Sequence, residues 1–208
     1  MTPTATIVMG GIGAGKSTFI RTYLGVQYPL APDELLPPLL TFLARNTGRS
    51  ADELYKDEQP YLQQITRQSV DALLSILLRQ SGSFTLESRA GNGVTMDRIK
   101  RSLEAKKHVK LYFLYREPVD AYNKGIFERN RTTPRKISMQ MHYQSHREEY
   151  HEWHVIEQKY RNHPKVRMYG MQNNGQTFSS VPEKEFQTFI QQAIQKQPYY
   201  FLPTPSHA

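Results

Sequence analysis

The sequence predicts an α/β fold: a three-layer sandwich with a mostly parallel sheet, helices on both faces and a basic lid. Three observations carry this. Strand-like and helix-like segments alternate along most of the 208 residues, the pattern of a parallel sheet covered on both sides. The run Thr4–Met9 is β-prone and ends in glycines, as a buried first strand does where it feeds a loop and a helix. Val109–Tyr115, VKLYFLY, is nearly all apolar, aromatic or β-branched, the composition of a central strand.

The elements follow in order. After Thr4–Met9 the pattern turns helical from about Ser17 to Leu24, and Val26–Ala31 is short enough for a second strand. Pro37 and Pro38 fit a helix only near its start, so a helix is expected from about Pro37 to before Gly48, with Asp33 and Glu34 in the loop ahead of it. Gln59–Gln80 reads as a long helix, with Leu62, Ile65, Ser69, Leu73, Ile76 and Leu77 at helical spacing. Ser83–Glu87 reads as a strand, Gly91-Asn92-Gly93 as a turn and Val94–Lys106 as a helix. Pro118 starts a helix running to about Asn130, followed by the basic stretch RNRTTPRK. Residues 137–160 read as helix, Val166–Tyr169 as strand and Glu183–Lys196 as a closing helix. With no internal repeat or long linker, residues 1–208 are expected to form a single domain with an irregular tail from about 197 to 208.

Composition narrows the function classes. Apolar residues make up 38% and charged residues 22%, which is globular rather than disordered. No apolar run approaches the ~20 residues needed to cross a bilayer, and the N-terminus lacks the features of a signal peptide, so no membrane role and a cytoplasmic setting are expected. There is no cysteine, which excludes disulfides and thiolate metal sites. The net charge of +8 favours anionic partners, nucleotides and nucleic acid among them.

The segment GGIGAGKST, residues 10–18, carries the chemistry. It meets the phosphate-loop pattern G-x-x-x-x-G-K-[ST] at Gly10, Gly15, Lys16 and Ser17. Backbone N–H groups from Gly11, Ile12, Gly13, Ala14, Gly15, Lys16, Ser17 and Thr18 can surround a triphosphate, because glycines let the chain turn inward. Lys16 can reach the β- and γ-phosphates, the Ser17 hydroxyl can ligate Mg²⁺, and the helix beginning there turns its positive end to the anion. The expected ligands are ATP and Mg²⁺, and the fold is that of a P-loop NTPase.

Three kinds of P-loop protein compete. A GTPase needs Asn-Lys-x-Asp, and the nearest match, Asn123-Lys124-Gly125-Ile126, lacks the acid. A motor ATPase carries a strand ending in Asp-Glu, whereas Leu86-Glu87-Ser88 has no aspartate. A small-molecule kinase needs an acid near the acceptor and a basic lid, and both are present. Asp33 follows the expected second strand at the carboxyl edge of the sheet, where it can take the proton of an attacking hydroxyl. Arg129, Arg131 and Arg135 flank a Thr-Thr-Pro turn and can neutralise charge developing on the γ-phosphate.

In this order the segments GGIGAGKST, APDELLP, FTLESRAGNG and IFERNRTTPRK resemble the zeta-toxin family of P-loop kinases, over Thr4 to about Tyr169. The resemblance implies phosphorylation of a sugar hydroxyl of UDP-N-acetylglucosamine or a related UDP-sugar with ATP and Mg²⁺. It implies that Lys16, Arg129 and Arg131 hold the triphosphate and that Asp33 activates the hydroxyl. Glu34, Glu87, Ser88 and Arg89 would meet the acceptor, and an antitoxin protein could be a partner. The lid is shorter than the family usually has, and Arg89 stands where small or hydroxyl residues are frequent. A polynucleotide or nucleoside kinase would use the same loop, base and lid, and a nucleotide-binding module that transfers nothing is a further alternative.

Two features of residues 137–160 complete the reading. His142, His146, His151 and His154 cluster there, but without His-Glu-x-x-His or an obvious third ligand a solvated helix face is expected rather than a metal site. Tyr143, Tyr150, Trp153 and Tyr160 recur at helical spacing and are expected to pack in the core or at a helix interface.

Overall fold

The computed structural model describes residues 2–89, 93–132 and 136–196. The turn expected at Gly91 and Asn92, the lid residues 133–135 with Arg135, and the tail from 197 lie outside the described residues.

Five strands form one sheet in the order β2-β1-β3-β4-β5. These are β1 (Thr4–Met9), β2 (Phe84–Glu87), β3 (His108–Tyr115), β4 (Val166–Asn173) and β5 (Phe178–Val181). The first four are parallel, with Ile7 of β1 opposite both Leu86 and Leu111. Because the chain steps from β1 to either side, the crevice beyond the carboxyl ends of β1 and β3 is the switch point where such sheets bind ligands.

Alternation along the strands divides the core. Ile7, Met9, Leu111 and Phe113 point to one face, which α3 (Ala51–Arg79), α4 (Val94–Glu104), α7 (Met139–Tyr160) and α8 (Glu183–Lys196) cover through Leu74, Ile99, Trp153 and Phe186. Val8, Leu114 and Met171 point to the other, packing on Phe19 and Ile20 of α1 (Lys16–Thr18) and the π-helical turn Phe19–Tyr23 that continues it. The fold is the predicted α/β sandwich. Tyr150, Trp153 and Tyr160 are buried in the first core, so the aromatic stripe packs as expected, with Tyr143 half-buried.

Several boundaries differ from expectation. Val26–Ala31 makes a single bridge, Leu30 to Leu86, rather than a strand. The helix α2 (Pro32–Thr47) begins five residues before Pro37, with Pro32 in its first turn, so Asp33 and Glu34 lie in that turn and not in a loop. Pro37 and Pro38 are tolerated one turn in, where the carbonyls deprived of a helical partner are those of Asp33 and Glu34 at the accessible helix start. The long helix α3 starts at Ala51, fixed by a capping box between Ser50 and Glu53, and runs through Pro60. Its buried stripe is Leu62, Thr66, Val70 and Leu74, while Ile65, Leu73 and Ile76 face outward. The strand β4 is longer than expected and turns through Asn174 and Gly175 into the antiparallel β5, which periodicity had not revealed.

Candidate active site

Chain order brings β1 into the phosphate loop at the switch point. Gly15 adopts a left-handed conformation (φ 90°) immediately before α1, a turn that favours glycine. Lys16 is buried, and its ammonium donates to the carbonyls of Gly10 (2.7 Å) and Gly11 (3.2 Å). Glu87, at the end of β2, reaches the same loop. Its carboxylate accepts from the Ser17 hydroxyl at 2.8 Å and stands 3.8 Å from the Lys16 ammonium. The two parallel neighbours β1 and β2 thus place an alcohol, an acid and a cation at one sheet edge.

A cleft of about 240 Å³ opens there, lined by Gly13, Lys16, Ser17, Asp33, Glu87, Arg89, Arg116 and Arg129 among others. That is smaller than the roughly 300–1,000 Å³ of whole-ligand pockets, and its lining suits the phosphate part of a nucleotide. Across it, Arg129 of α6 (Phe127–Thr132) donates to the Asp33 carboxylate at 3.2 Å. The helix α6 continues α5 (Pro118–Ala121) through a π-helical turn, Tyr122–Ile126, and such turns are frequent at functional sites.

Of the residues singled out from sequence, the structure therefore gathers Ile12, Gly13, Gly15, Lys16, Ser17, Thr18, Asp33, Glu87, Arg89 and Arg129 around one cleft. Gly11 and Ala14 complete the loop from beneath, both buried. Three others lie elsewhere. Arg131 is on the exposed side of α6, 3.6 Å from Glu128, because two positions along a helix turn a side chain well away from Arg129. Glu34 pairs with Arg21. Ser88 is fully buried, its hydroxyl bonded to Thr95 and Arg98, since it points to the opposite face of β2 from the exit of Glu87.

Some residues at the site escaped sequence reading. Arg116 follows β3 at the carboxyl edge and is held at 2.9 Å by Asp120, whose carboxyl is lowered below its usual value by bonds from Lys124 and then Arg116. Asn173, at the end of β4, donates to the Ala14 carbonyl at 2.8 Å. The carboxyl-edge argument applied to Asp33 would have found both.

The histidine reading needs correction. His142 and His146 are buried, not solvated. Nε2 of His142 lies 2.7 Å from the Pro118 carbonyl and Nε2 of His146 lies 3.0 Å from the Ile12 carbonyl. As neutral rings donating there, both find an acceptor in the backbone, which a helix face read alone does not reveal. Among the described residues no group of three His, Asp or Glu side chains is placed to hold a metal. Burial, then the charges of His142 and Lys16, push His146 down to about 3. Burial also lowers His142. An unfolded histidine titrates near 6.5, so between about pH 6.5 and 3 the unfolded chain binds more protons and stability falls as the pH falls. Chemical denaturation should show this loss, up to about 1.4 kcal/mol per pH unit from His146, and His146→Gln should flatten it.

No family model matches the sequence, and no curated protein sequence matches it significantly. Solved structures do match. A chain of the PezAT chromosomal toxin-antitoxin system of Streptococcus pneumoniae aligns with TM-score 0.60 at 14% identity, over 95% of this chain and 88% of that one. The AvrRxo1-ORF1:AvrRxo1-ORF2 complex with sulphate ions aligns with TM-score 0.62 at 14% identity over 86% of this chain, which spans only 58% of that chain. The same complex with ATP aligns with TM-score 0.57 at 12% identity, over 86% of this chain and 57% of that one. No described helix is long and apolar enough to cross a membrane. The likeness shows the α/β fold, shared with a chain of the PezAT system.

Proposed function

We propose that the chain is a single kinase domain transferring the γ-phosphoryl group of ATP to a hydroxyl of a nucleotide-activated sugar, UDP-N-acetylglucosamine or a close relative. The observation that carries this is the Asp33–Arg129 pair, 3.2 Å apart, facing Lys16 across one cleft. An acid, a cation and the glycine-rich loop side by side support this reading, because phosphoryl transfer needs a base, a lid cation and a phosphate loop together. The ATP named for a structure of the same fold supports the donor, and the sugar-nucleotide acceptor rests on the zeta-toxin resemblance.

In this reading the loop N–H groups and Lys16 hold the triphosphate. Ser17 and Glu87 offer two hard oxygens 2.8 Å apart, a fit for Mg²⁺, which binds few protein ligands and fills its shell with phosphate and water. A bound Mg²⁺ would neutralise charge on the β- and γ-phosphates. Arg129 turns from Asp33 to the more highly charged γ-phosphate and so releases the carboxylate. Asp33 takes the proton of the acceptor hydroxyl as its oxygen bonds to the γ-phosphorus and the bond to the ADP oxygen breaks. Arg89 and Arg116, both on the cleft, suit an acceptor carrying phosphates. The toxin-antitoxin system named for the PezAT match supports an antitoxin protein as partner, and ATP and UDP-sugars as substrates are in keeping with a cytoplasmic setting.

The protein incubated with Mg-ATP and a panel of UDP-sugars should yield a product heavier by one phosphate. Labelling of a DNA or RNA 5′ end with no UDP-sugar product would assign a polynucleotide kinase instead, and ATP binding without any product a sensing module. The two lid arginines should separate. Arg129→Ala should lower turnover about 10²-fold, as loss of a transition-state donor does, whereas Arg131→Ala should change it less than about threefold because an exposed ion pair contributes little. Equal losses would overturn this assignment of the lid.

A further inference from the structure

The helix α7 follows the lid and lies beneath the phosphate loop. Two consecutive side chains on it hold Ile12 from both ends. The Ile12 N–H donates to the Ser145 hydroxyl at 3.2 Å, and the Ile12 carbonyl stands 3.0 Å from Nε2 of His146. The other ring nitrogen, Nδ1, is 3.3 Å from the Tyr150 hydroxyl, which can donate to it. His146 is buried, and its ring lies so close to Gly11 that a Cβ there would come within 2.4 Å.

The two peptide units thus held lie on either side of Ile12 and are flanked by Gly11 and Gly13. Glycine populates both signs of φ, so peptide units beside it rotate cheaply. In a trans peptide the carbonyl and the following N–H point in opposite directions. While the Ile12 carbonyl points down to His146, the Gly13 N–H points up, and Gly13 lines the cleft. A flipped unit would offer the anion a carbonyl oxygen in place of a donor. The Ile12 side chain adds a third tie, packing on Ile126 and Ile137, and Ile137 exchanges two 2.8 Å bonds with the Asn130 side chain at the base of the lid.

We infer that Ser145 and His146 are positioning residues for the triphosphate: His146 fixes the peptide unit after Ile12 so that the Gly13 N–H faces the cleft, and Ser145 fixes the unit before it, whose Gly11 carbonyl accepts from Lys16. The inference rests on the reading of residues 10–18 as a phosphate loop.

The test is the affinity for Mg-ATP, measured by titration calorimetry, of wild type, His146→Leu, His146→Gln and Ser145→Ala, with thermal midpoints taken alongside. Leucine fills the space without a donor, and glutamine places an amide N–H near the position of Nε2. His146→Leu should weaken ATP binding about tenfold, the effect of losing one buried bond. His146→Gln should recover most of that loss even if its melting midpoint does not recover. Ser145→Ala, on a half-buried residue, should weaken binding about threefold while remaining folded, and it carries the test if His146→Leu does not fold. ATP binding equal for Leu and Gln, or unchanged in Ser145→Ala, would overturn the inference. Failure of the wild type to bind ATP would instead overturn the phosphate-loop reading.

Discussion

Lys16→Ala should abolish ATP binding at millimolar nucleotide and lower phosphoryl transfer by about 10³-fold or more, since one catalytic donor alone is worth about 10²–10³ and Lys16 also contributes to binding. The structure explains why so much rests on one side chain. The ammonium is buried and lies against three oxygen-bearing groups: the Gly10 and Gly11 carbonyls and the Glu87 carboxylate. A cation held among oxygens in a shielded cleft exchanges them for phosphate at little reorganisation cost. Lys16→Arg should not restore activity, because a planar guanidinium cannot occupy the point where three oxygens converge on one nitrogen. Calorimetry with Mg-ATP and a product assay on both variants check this. Transfer at wild-type rate in Lys16→Ala would remove residues 10–18 from the donor site.

Asp33→Asn should cut turnover by about 10²-fold to 10⁴-fold while ATP affinity stays within a few-fold, because an amide has the shape of the carboxylate but cannot take a proton. The observed ion pair offers a competing explanation, namely that Asp33 merely anchors Arg129. Magnitudes decide between them. The two side chains are 37% and 36% exposed, so water screens the pair, and such pairs contribute about 1 kcal/mol or less. An anchor would therefore cost at most about fivefold to tenfold, far below the loss of a general base. Steady-state kinetics with saturating Mg-ATP separates the two, and a loss below tenfold would reduce Asp33 to an anchor.

Much of this site was legible because its residue types announce themselves in order along the chain. A glycine-rich loop after an apolar strand, an acid just past the next edge and arginines after a helix locate Lys16, Asp33 and Arg129 before any coordinates. Helix phase was harder to read. Arg129 and Arg131 look equivalent in a basic stretch, yet two residues of helix separate a side chain in the cleft from one in solvent. The same difficulty displaced the buried stripe of α3, where Thr66 is inside and Ile65 outside. His142 and His146 were misread for a different reason. Their partners are backbone carbonyls of Ile12 and Pro118, 134 and 24 residues away, and a carbonyl leaves no mark in a sequence. The strand β5 stayed hidden because an edge strand of four residues, FSSV, with two exposed serines has no periodicity to detect.

The single bridge at Leu30 governs how the connection between α1 and α2 can change over evolution. Leu30 donates to Thr85 and accepts from Glu87, so the sheet holds it at two points. From there to Asp33 the chain has only Ala31 and Pro32, one buried and the other with a fixed backbone angle. Ahead of Pro29, Gln27 and Tyr28 are exposed, and Tyr28 stands almost wholly in solvent. Insertions and deletions should therefore accumulate before Leu30 with little effect, while a single residue added between Leu30 and Asp33 would carry the acid off the cleft. The gap from Lys16 to the acid can vary among related sequences, and the three-residue step from the bridge to the acid should not.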